Sequence, residues 1–477
     1  EEASAGGAAA ASARQAASSG AAGASGEAPR GGEVAEAPKG ANADGPAGAA
    51  GAPETPEGAA AYSGIGGDNA YVELPGGSRV RLTTALNFVG GPSPGEDERM
   101  PVYRTLDASG REVAGADVAH ALDQGLATKM YTTMAVLQTM DTMFFDAQRQ
   151  GRFSFYLTSQ GEEATAVGAA AALQPDDVVF AQYREQGVLL WRGYSLQQFA
   201  NQLFGNQHEP GKGRQMPIHY GSQELNFHTI SSTLATQLPH AVGAAYAMKL
   251  QQARTVTVCF FGEGASSEGD AHAAFNFAAT LGVPVVFVCR NNGYAISTPS
   301  NEQFRGDGVA ARGPAYGMSS VRVDGNDARA VFNAVAEARR LAVDGCRPVL
   351  VEAMSYRSGH HSTSDDSSRY RTSQEMRSWR ARDPVARFRA WLQSQGWWSD
   401  AREADVRRAA RQEVLASMDK AEREPKPPLS AMFSDVYHAG EGLPWHLQEQ
   451  YDDTQELLRE CPELRPPGMP MPPVAGG

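Results

Sequence analysis

Large apolar side chains are scarce in the first 67 residues and frequent afterwards, where their spacing takes two forms. Between Asp117 and Gln150, Leu122, Leu126, Met130, Met134, Leu137, Met140 and Phe144 recur every three or four positions and share one face of a long predicted helix. Ala164 to Leu173 reads as a second helix, with small side chains that allow close packing. The other form is the short, unbroken apolar run. Asp177–Ala181, Thr255–Phe261, Val283–Cys289 and Val349–Ala353 each read as a strand buried on both faces. Helical patterns over Asp270–Leu281 and Ala328–Val343 lie between the second and third runs and before the fourth. Strand, crossover helix and strand make a parallel unit, so the expected fold class is α/β. It is a doubly wound, mostly parallel sheet with extra helices at both ends, and its ligands sit beyond the carboxyl ends of the strands.

The same pattern sets the boundaries. Residues 1–67 are Ala, Gly, Ser, Pro and Glu with almost no large apolar groups, too little to offset chain entropy, and are expected to be a disordered extension. Tyr71–Leu74 and Val80–Leu82 are the first folded signals, and the folded domain is placed at 68–440. Two or three helices are predicted over Pro384–Glu422 and a short element at Phe433–Tyr437, and 441–477 is assigned to a Pro-rich tail, irregular from Pro462. The chain opens at Glu1 rather than Met, so a targeting segment is expected to precede it; its own Ala- and Gly-rich, acid-containing start makes a poor transit peptide.

Composition narrows the function. A net charge of −13 argues against a nucleic-acid partner, which needs clustered Lys and Arg. No apolar stretch approaches the roughly 20 residues that span a bilayer, so no membrane insertion is expected. Cys259, Cys289, Cys346 and Cys461 form no CxxC pair and fit no zinc pattern; buried, reduced thiols in a reducing compartment are the expectation.

The candidate chemistry lies where the strands end. Gly262-Glu263-Gly264-Ala265 follows the Thr255–Phe261 run, and Asn291-Asn292 follows the Val283–Cys289 run. In a parallel sheet these points converge on one crevice. The Glu263 carboxylate, the Asn292 amide oxygen and the Tyr294 main-chain carbonyl suit a hard cation such as magnesium, which takes oxygen ligands and completes its shell from phosphate and water. Gly262 and Gly264 let the backbone approach a diphosphate, and the next helix offers free N–H groups. The plain alternative is two ordinary turns. An NAD-dependent Rossmann dehydrogenase needs a third glycine that Gly262-Glu263-Gly264-Ala265-Ser266-Ser267 lacks; it and a non-catalytic scaffold are the lesser readings.

The Gly-Glu-Gly turn followed by Asn-Asn resembles the thiamin diphosphate motif, with Glu263 where Asp is usual. The stretches AQYREQGVL, ISSTLATQ, FFGEGASSEGDAHAAFNFAATL, CRNNGYAISTP and YRSGHHSTSDDSSRYR extend the likeness from about Asp68 to Tyr437. Through them the chain resembles the alpha subunit of the decarboxylating component of branched-chain 2-oxoacid dehydrogenase. That resemblance implies thiamin diphosphate and Mg2+ as cofactors, held by Tyr183, Arg184, Ser232, Leu234, Gly264, Ala265, Arg290 and His361, with Glu263, Asn292 and Tyr294 on the metal. It implies a K+ site at Ser231, Thr233, Thr236 and Gln237, whose residues taken alone also suit a hydroxyl-rich helix cap; Thr233 stands where the family often has Pro. His361 would be the catalytic acid/base or orienting group, although two adjacent loop histidines taken alone are usually solvated. Ser362 matches the family's inhibitory phosphorylation site, and the second site falls on Thr372. The implied activity is oxidative decarboxylation of branched-chain 2-oxoacids, with pyruvate as the alternative substrate, and acyl transfer to a lipoyl group. The implied partners are a beta subunit in an α2β2 heterotetramer, a lipoyl-bearing dihydrolipoyl acyltransferase, and a regulatory kinase and phosphatase. The implied location is the mitochondrial matrix.

Overall fold

The computed structural model describes residues 71–73, 79–81, 99–438 and 442–470, so the extension assigned to 1–67 lies outside the described residues. The chain divides into two units, Glu1–Phe88 and Val89–Gly477. In the first, Tyr71–Glu73 and Arg79–Arg81 pair antiparallel with Val72 opposite Val80, at the two positions where folded signals begin.

The second unit is built on six strands: β1 (Val102–Tyr103), β2 (Val178–Phe180), β3 (Thr257–Gly262), β4 (Val285–Asn291), β5 (Ser319–Asp324) and β6 (Val349–Met354). Their order across the sheet is β1-β5-β6-β4-β3-β2, and every neighbouring pair is parallel. The four apolar runs became β2, β3, β4 and β6. β5 escaped the pattern because Ser319, Ser320 and Arg322 interrupt it; it lies next to the edge, where only part of it is buried.

Alternation along the strands explains why the sheet is covered on both faces. Val258 and Phe260 of β3 and Val286 and Val288 of β4 enter one core with α1 (Gln124–Arg149), α2 (Glu163–Ala171) and α5 (Ala328–Gly345). Cys259, Phe261, Phe287 and Cys289 point the other way, into a second core with α3 (Gln237–Leu250) and α4 (Gly269–Leu281). The α1 stripe is core: Met130, Met134, Leu137, Met140 and Phe144 have no exposed surface. The helix starts later than the pattern suggests because Asp123 caps it, its carboxylate accepting the Leu126 N–H at 2.7 Å. Gly168 shows why α2 is made of small residues, since a Cβ there would stand 2.9 Å from the Ala328 carbonyl at the start of α5.

The four cysteines are free, and Cys259 and Cys289 are buried. The C-terminal part holds helices at Ser373–Arg380, Pro384–Ser394 and Asp400–Arg423. Phe433–Tyr437 forms turns rather than a regular element. The segment assigned to a Pro-rich tail carries a helix at Trp445–Glu460; its prolines crowd only from Pro462 onward, and averaging over the whole segment hid the helical run before them. Among the described residues no helix is long and apolar enough to cross a membrane.

With α4 crossing one face and α5 the other, the strand ends open a crevice at their carboxyl side. Four segments reach it: 182–186 after β2, 263–266 after β3, 292–296 after β4 and 355–361 after β6.

Candidate active site

Glu263 leaves β3 with its side chain buried. Its Oε2 accepts the Asn292 N–H at 3.3 Å, and its Oε1 has no partner among the described residues although it is fully enclosed. Burial first, and then the nearby Glu162 charge, pushes this carboxyl up to about 7. A buried, unpaired carboxylate oxygen is costly unless something completes it. The Asn pair divides its work. Asn291 is used internally: its amide donates to Glu352 at 2.8 Å and its oxygen accepts the Gly293 N–H at 3.1 Å. Asn292 donates through Nδ2 to Glu162 Oε1 at 2.6 Å, and its Oδ1 accepts the Tyr294 N–H at 3.2 Å. Glu263, Asn292 and the Tyr294 backbone N–H are therefore linked in one cluster.

Gly264 stands against this turn. A Cβ on it would meet the Ala295 Cβ at 2.6 Å, so only glycine allows the two loops to close up. Ala265 is buried at the start of a short 3-10 helix, and the Ser266 N–H bonds back to the Glu263 carbonyl at 3.2 Å.

Arginines line the crevice. Arg290 is buried and forms ion pairs with Glu185 through Nε and with Glu162 through Nη1. Burial opposes the charge on Glu162, but Arg290 and Arg184 outweigh it and hold that carboxyl below its ordinary range. Arg184 donates to the Thr158 carbonyl at 2.6 Å and to the His361 carbonyl at 2.6 Å, and its own N–H bonds to Glu185 at 3.1 Å. Tyr183 lies edge-on to His361, with ring centroids 6.0 Å apart.

His361 Nδ1 lies 2.8 Å from Arg357 Nη1 and 3.2 Å from Arg184 Nη2. Both guanidinium groups can only donate, so Nδ1 accepts and the ring proton sits on Nε2. Burial, followed by these two cations, pushes the imidazole down to about 3. His361 is a neutral ring that offers an N–H, which suits an orienting role better than that of a base. Asp365 fixes the backbone that carries it, accepting the His361 main-chain N–H at 2.7 Å and the Tyr370 hydroxyl at 2.6 Å. The Ser362 hydroxyl accepts the Ser364 N–H at 3.3 Å. Thr372 caps the helix Ser373–Arg380, accepting the Glu375 N–H at 3.1 Å.

No hydrogen bond among the described residues joins the loop 231–237 to Glu263 or Asn292. Thr236 Oγ1 donates to the Thr233 carbonyl at 2.9 Å and toward Ser231 Oγ at 3.4 Å, so three of the predicted oxygen ligands converge. Gln237 instead donates to the Phe260 carbonyl of β3 at 3.1 Å, which anchors the loop to the sheet. Ser232 lies 2.7 Å from His219 Nε2, and Leu234 is exposed.

Sequence reasoning passed over Glu162, Glu185, Arg357, Asp365 and Tyr370. One signal was available: Glu162-Glu163 places two acids at the mouth of an otherwise small and apolar helix, where acids are not expected unless paired.

Among the described residues no group of three or more His, Cys, Asp or Glu is placed to hold a metal ion. One free carboxylate oxygen with amide and carbonyl oxygens is a partial set, fitting a magnesium ion that takes its other ligands from phosphate and water. Residues 131–430 match the model of the dehydrogenase E1 component. The chain belongs to the dehydrogenase E1 component family. It is 52% identical over 402 residues to 2-oxoisovalerate dehydrogenase subunit alpha 1, mitochondrial, of Arabidopsis thaliana, covering 84% of each chain. It is 51% identical over 395 residues to the human 2-oxoisovalerate dehydrogenase subunit alpha, mitochondrial, covering 83% of this chain and 87% of the human one. The Caenorhabditis elegans protein of that name is 52% identical over 369 residues, 77% of this chain and 84% of its own. Membership in the E1 family overturns both lesser readings. The nicotinamide dehydrogenase had already lost its third glycine, and the crevice of an E1 component is a reaction site rather than a scaffold surface.

Proposed function

We propose that this chain is the alpha subunit of a thiamin diphosphate-dependent dehydrogenase that oxidatively decarboxylates branched-chain 2-oxoacids and passes the acyl group to a lipoyl group. The observation that carries this is the buried, partnerless Glu263 oxygen beside Asn292, in a chain half-identical along most of its length to subunits named for 2-oxoisovalerate. Those names favour the branched-chain substrate over pyruvate.

When bound, thiamin diphosphate supplies a thiazolium carbon that adds to the ketone and accepts the electrons released as carbon dioxide leaves. The protein's own groups bind and orient. Glu263, Asn292 and the Tyr294 carbonyl hold Mg2+; Arg184, Arg290, Gly264 and Ala265 face the diphosphate, where a guanidinium fork matches phosphate geometry. Tyr183, Ser232 and Leu234 line the cofactor, and His361 presents its Nε2–H toward the reacting end. Ser231, Thr236 and the Thr233 carbonyl form a K+ site with Gln237. The family's wider assignments follow: a beta subunit completing an α2β2 assembly, a lipoyl-bearing dihydrolipoyl acyltransferase, a regulatory kinase and phosphatase acting on Ser362, and the mitochondrial matrix as location.

The need for a beta subunit is supported by the apolar groups left exposed beside the crevice and on α3 and α4, namely Leu234, Ile296, Tyr246, Leu250 and Phe277. Turnover of 3-methyl-2-oxobutanoate and pyruvate should be compared for the chain alone and with its beta subunit. Activity only in the assembly, lost with a chelator and higher on the branched substrate, is expected. Substantial decarboxylation by the chain alone, or preference for pyruvate, overturns the corresponding part.

A further inference from the structure

We infer that Glu162 sets the orientation of the Asn292 amide, and with it which end of that amide faces the metal. Glu162 is a positioning residue, and the inference rests on the magnesium half-site proposed above. Glu162 occupies the N-cap of α2 but makes no capping hydrogen bond; it turns inward and is 1% exposed. Its Oε1 accepts a hydrogen bond from Asn292 Nδ2 at 2.6 Å, and its Oε2 accepts one from Arg290 Nη1. An ionised carboxylate accepts only. With Nδ2 held there, Asn292 Oδ1 must face the opposite way, toward the Tyr294 N–H at 3.2 Å. Turned by half a rotation, the amide would set its oxygen against the Glu162 carboxylate and its N–H2 toward the cation, repelled on both sides.

Neither neighbour does this work in its place. Glu163 spends Oε2 on the Gly161 N–H at 2.9 Å, and its Oε1 has no partner. Arg290 has a second carboxylate in Glu185, so neutralising that arginine does not by itself require Glu162. What Glu162 alone supplies is an acceptor for the amide of a ligand, the kind of outer contact whose loss changes metal affinity by about 10–100-fold.

The test uses the assembled alpha and beta subunits, thiamin diphosphate at fixed concentration and Mn2+ as the metal probe, read by electron paramagnetic resonance. Glu162→Met removes the acceptor at similar volume. Asn292→Asp sets two carboxylates face to face. Glu162→Gln combined with Asn292→Asp reverses the hydrogen bond, since Gln can donate to the new carboxylate while its oxygen still accepts from Arg290. Half-saturating Mn2+ is expected to rise about 10–100-fold in Glu162→Met, to rise in Asn292→Asp, and to fall back toward wild type in the double variant. Melting of the metal-free assemblies reports folding; should Glu162→Met fail to assemble, the Asn292→Asp single and the double variant decide the matter, because both keep a polar group at 162. Unchanged Mn2+ binding in Glu162→Met, or a double variant no better than Asn292→Asp, overturns the inference while leaving the half-site standing. A wild-type assembly that captures thiamin diphosphate without any divalent cation is a different result and overturns the half-site with it.

Discussion

Gly264→Ala adds one methyl group where the loop after β3 meets the loop after β4. Gly264 has φ −63° and ψ −43°, ordinary values for alanine, so no backbone strain is introduced. The effect is steric. The new Cβ would stand 2.6 Å from the Ala295 Cβ, whereas ordinary contact begins at 3.4 Å, and the 295 loop must retreat by the difference, about 0.8 Å. Overpacking of this kind costs about 1–3 kcal/mol. The larger consequence is functional, because the displaced loop carries the Tyr294 carbonyl and adjoins Asn292. Misplacement on the order of 1 Å at a reacting centre costs about a hundredfold, and a comparable loss of thiamin diphosphate affinity at limiting Mg2+ is expected. The assay is calorimetric titration of the assembled enzyme with cofactor, alongside the Ala295→Gly single variant and the Gly264→Ala/Ala295→Gly double variant. Ala295→Gly removes the atom that is struck, so the double variant should recover most of the loss, a coupling expected only of residues in contact. Unchanged affinity in Gly264→Ala, or no recovery in the double variant, refutes the reasoning.

Arg290→Met leaves Glu162 and Glu185 buried and facing one another without their cation; a loss of about 3–5 kcal/mol is expected, checked by denaturant unfolding. His361, held down to about 3 in the fold against an ordinary 6.5, stays neutral at working pH. The unfolded chain therefore binds the extra proton between those values, and the stability His361 contributes is fully present above pH 6.5 and lost as pH falls toward 3; nitrogen chemical shifts of the His361 ring should not titrate between pH 5 and 8. Ile296 has φ +58°, a left-handed conformation that a β-branched residue rarely adopts. Its carbonyl accepts from Arg357 at 2.8 Å. Ile296→Gly should stabilise the protein by about 1–3 kcal/mol in thermal unfolding while lowering turnover, and a destabilised variant would refute the strain.

The parts of the fold visible in the sequence are those where burial is complete. β2, β3, β4 and β6 are unbroken apolar runs because helices cover both of their faces, and the Met stripe of α1 is regular because one whole side of it is core. β5 was missed because Ser319, Ser320 and Arg322 break its apolar run; Arg322 is buried, and is tolerated there because in the fold it pairs with Glu352 at 3.0 Å and Asp307 at 2.9 Å. The helix Trp445–Glu460 was missed because only Leu458 in it is buried, so it carries little core signature. The site divides along the same line. Glu263 and Asn292 are marked by glycines and by their place at strand ends. Glu162 lies outside the stretches that carry the resemblance, and Glu185 and Asp365 lie inside two of them with nothing to single them out. They belong to the crevice through what they touch, and those contacts join residues up to 130 positions apart, as for Asn292 and Glu162.

The distribution of acids in the crevice bears on how it captures a cofactor. Glu185 and Glu162 are committed to Arg290, and Glu162 also to Asn292. Asp365 is committed to His361 and Tyr370. Glu263 Oε1 is the one carboxylate oxygen of these four residues that is enclosed and without a partner. A hard divalent cation needs about six oxygens, so the protein side is too poor in free charge to hold one tightly by itself. Arg290 in turn is neutralised by Glu162 and Glu185, which weakens its pull on a bare diphosphate. In the proposed half-site each ligand would bind weakly without the other, and together they would complete one another's coordination. Proposed in this form, the crevice selects the metal–diphosphate pair over either component, which follows from spending its acids on positioning and keeping a single oxygen in reserve.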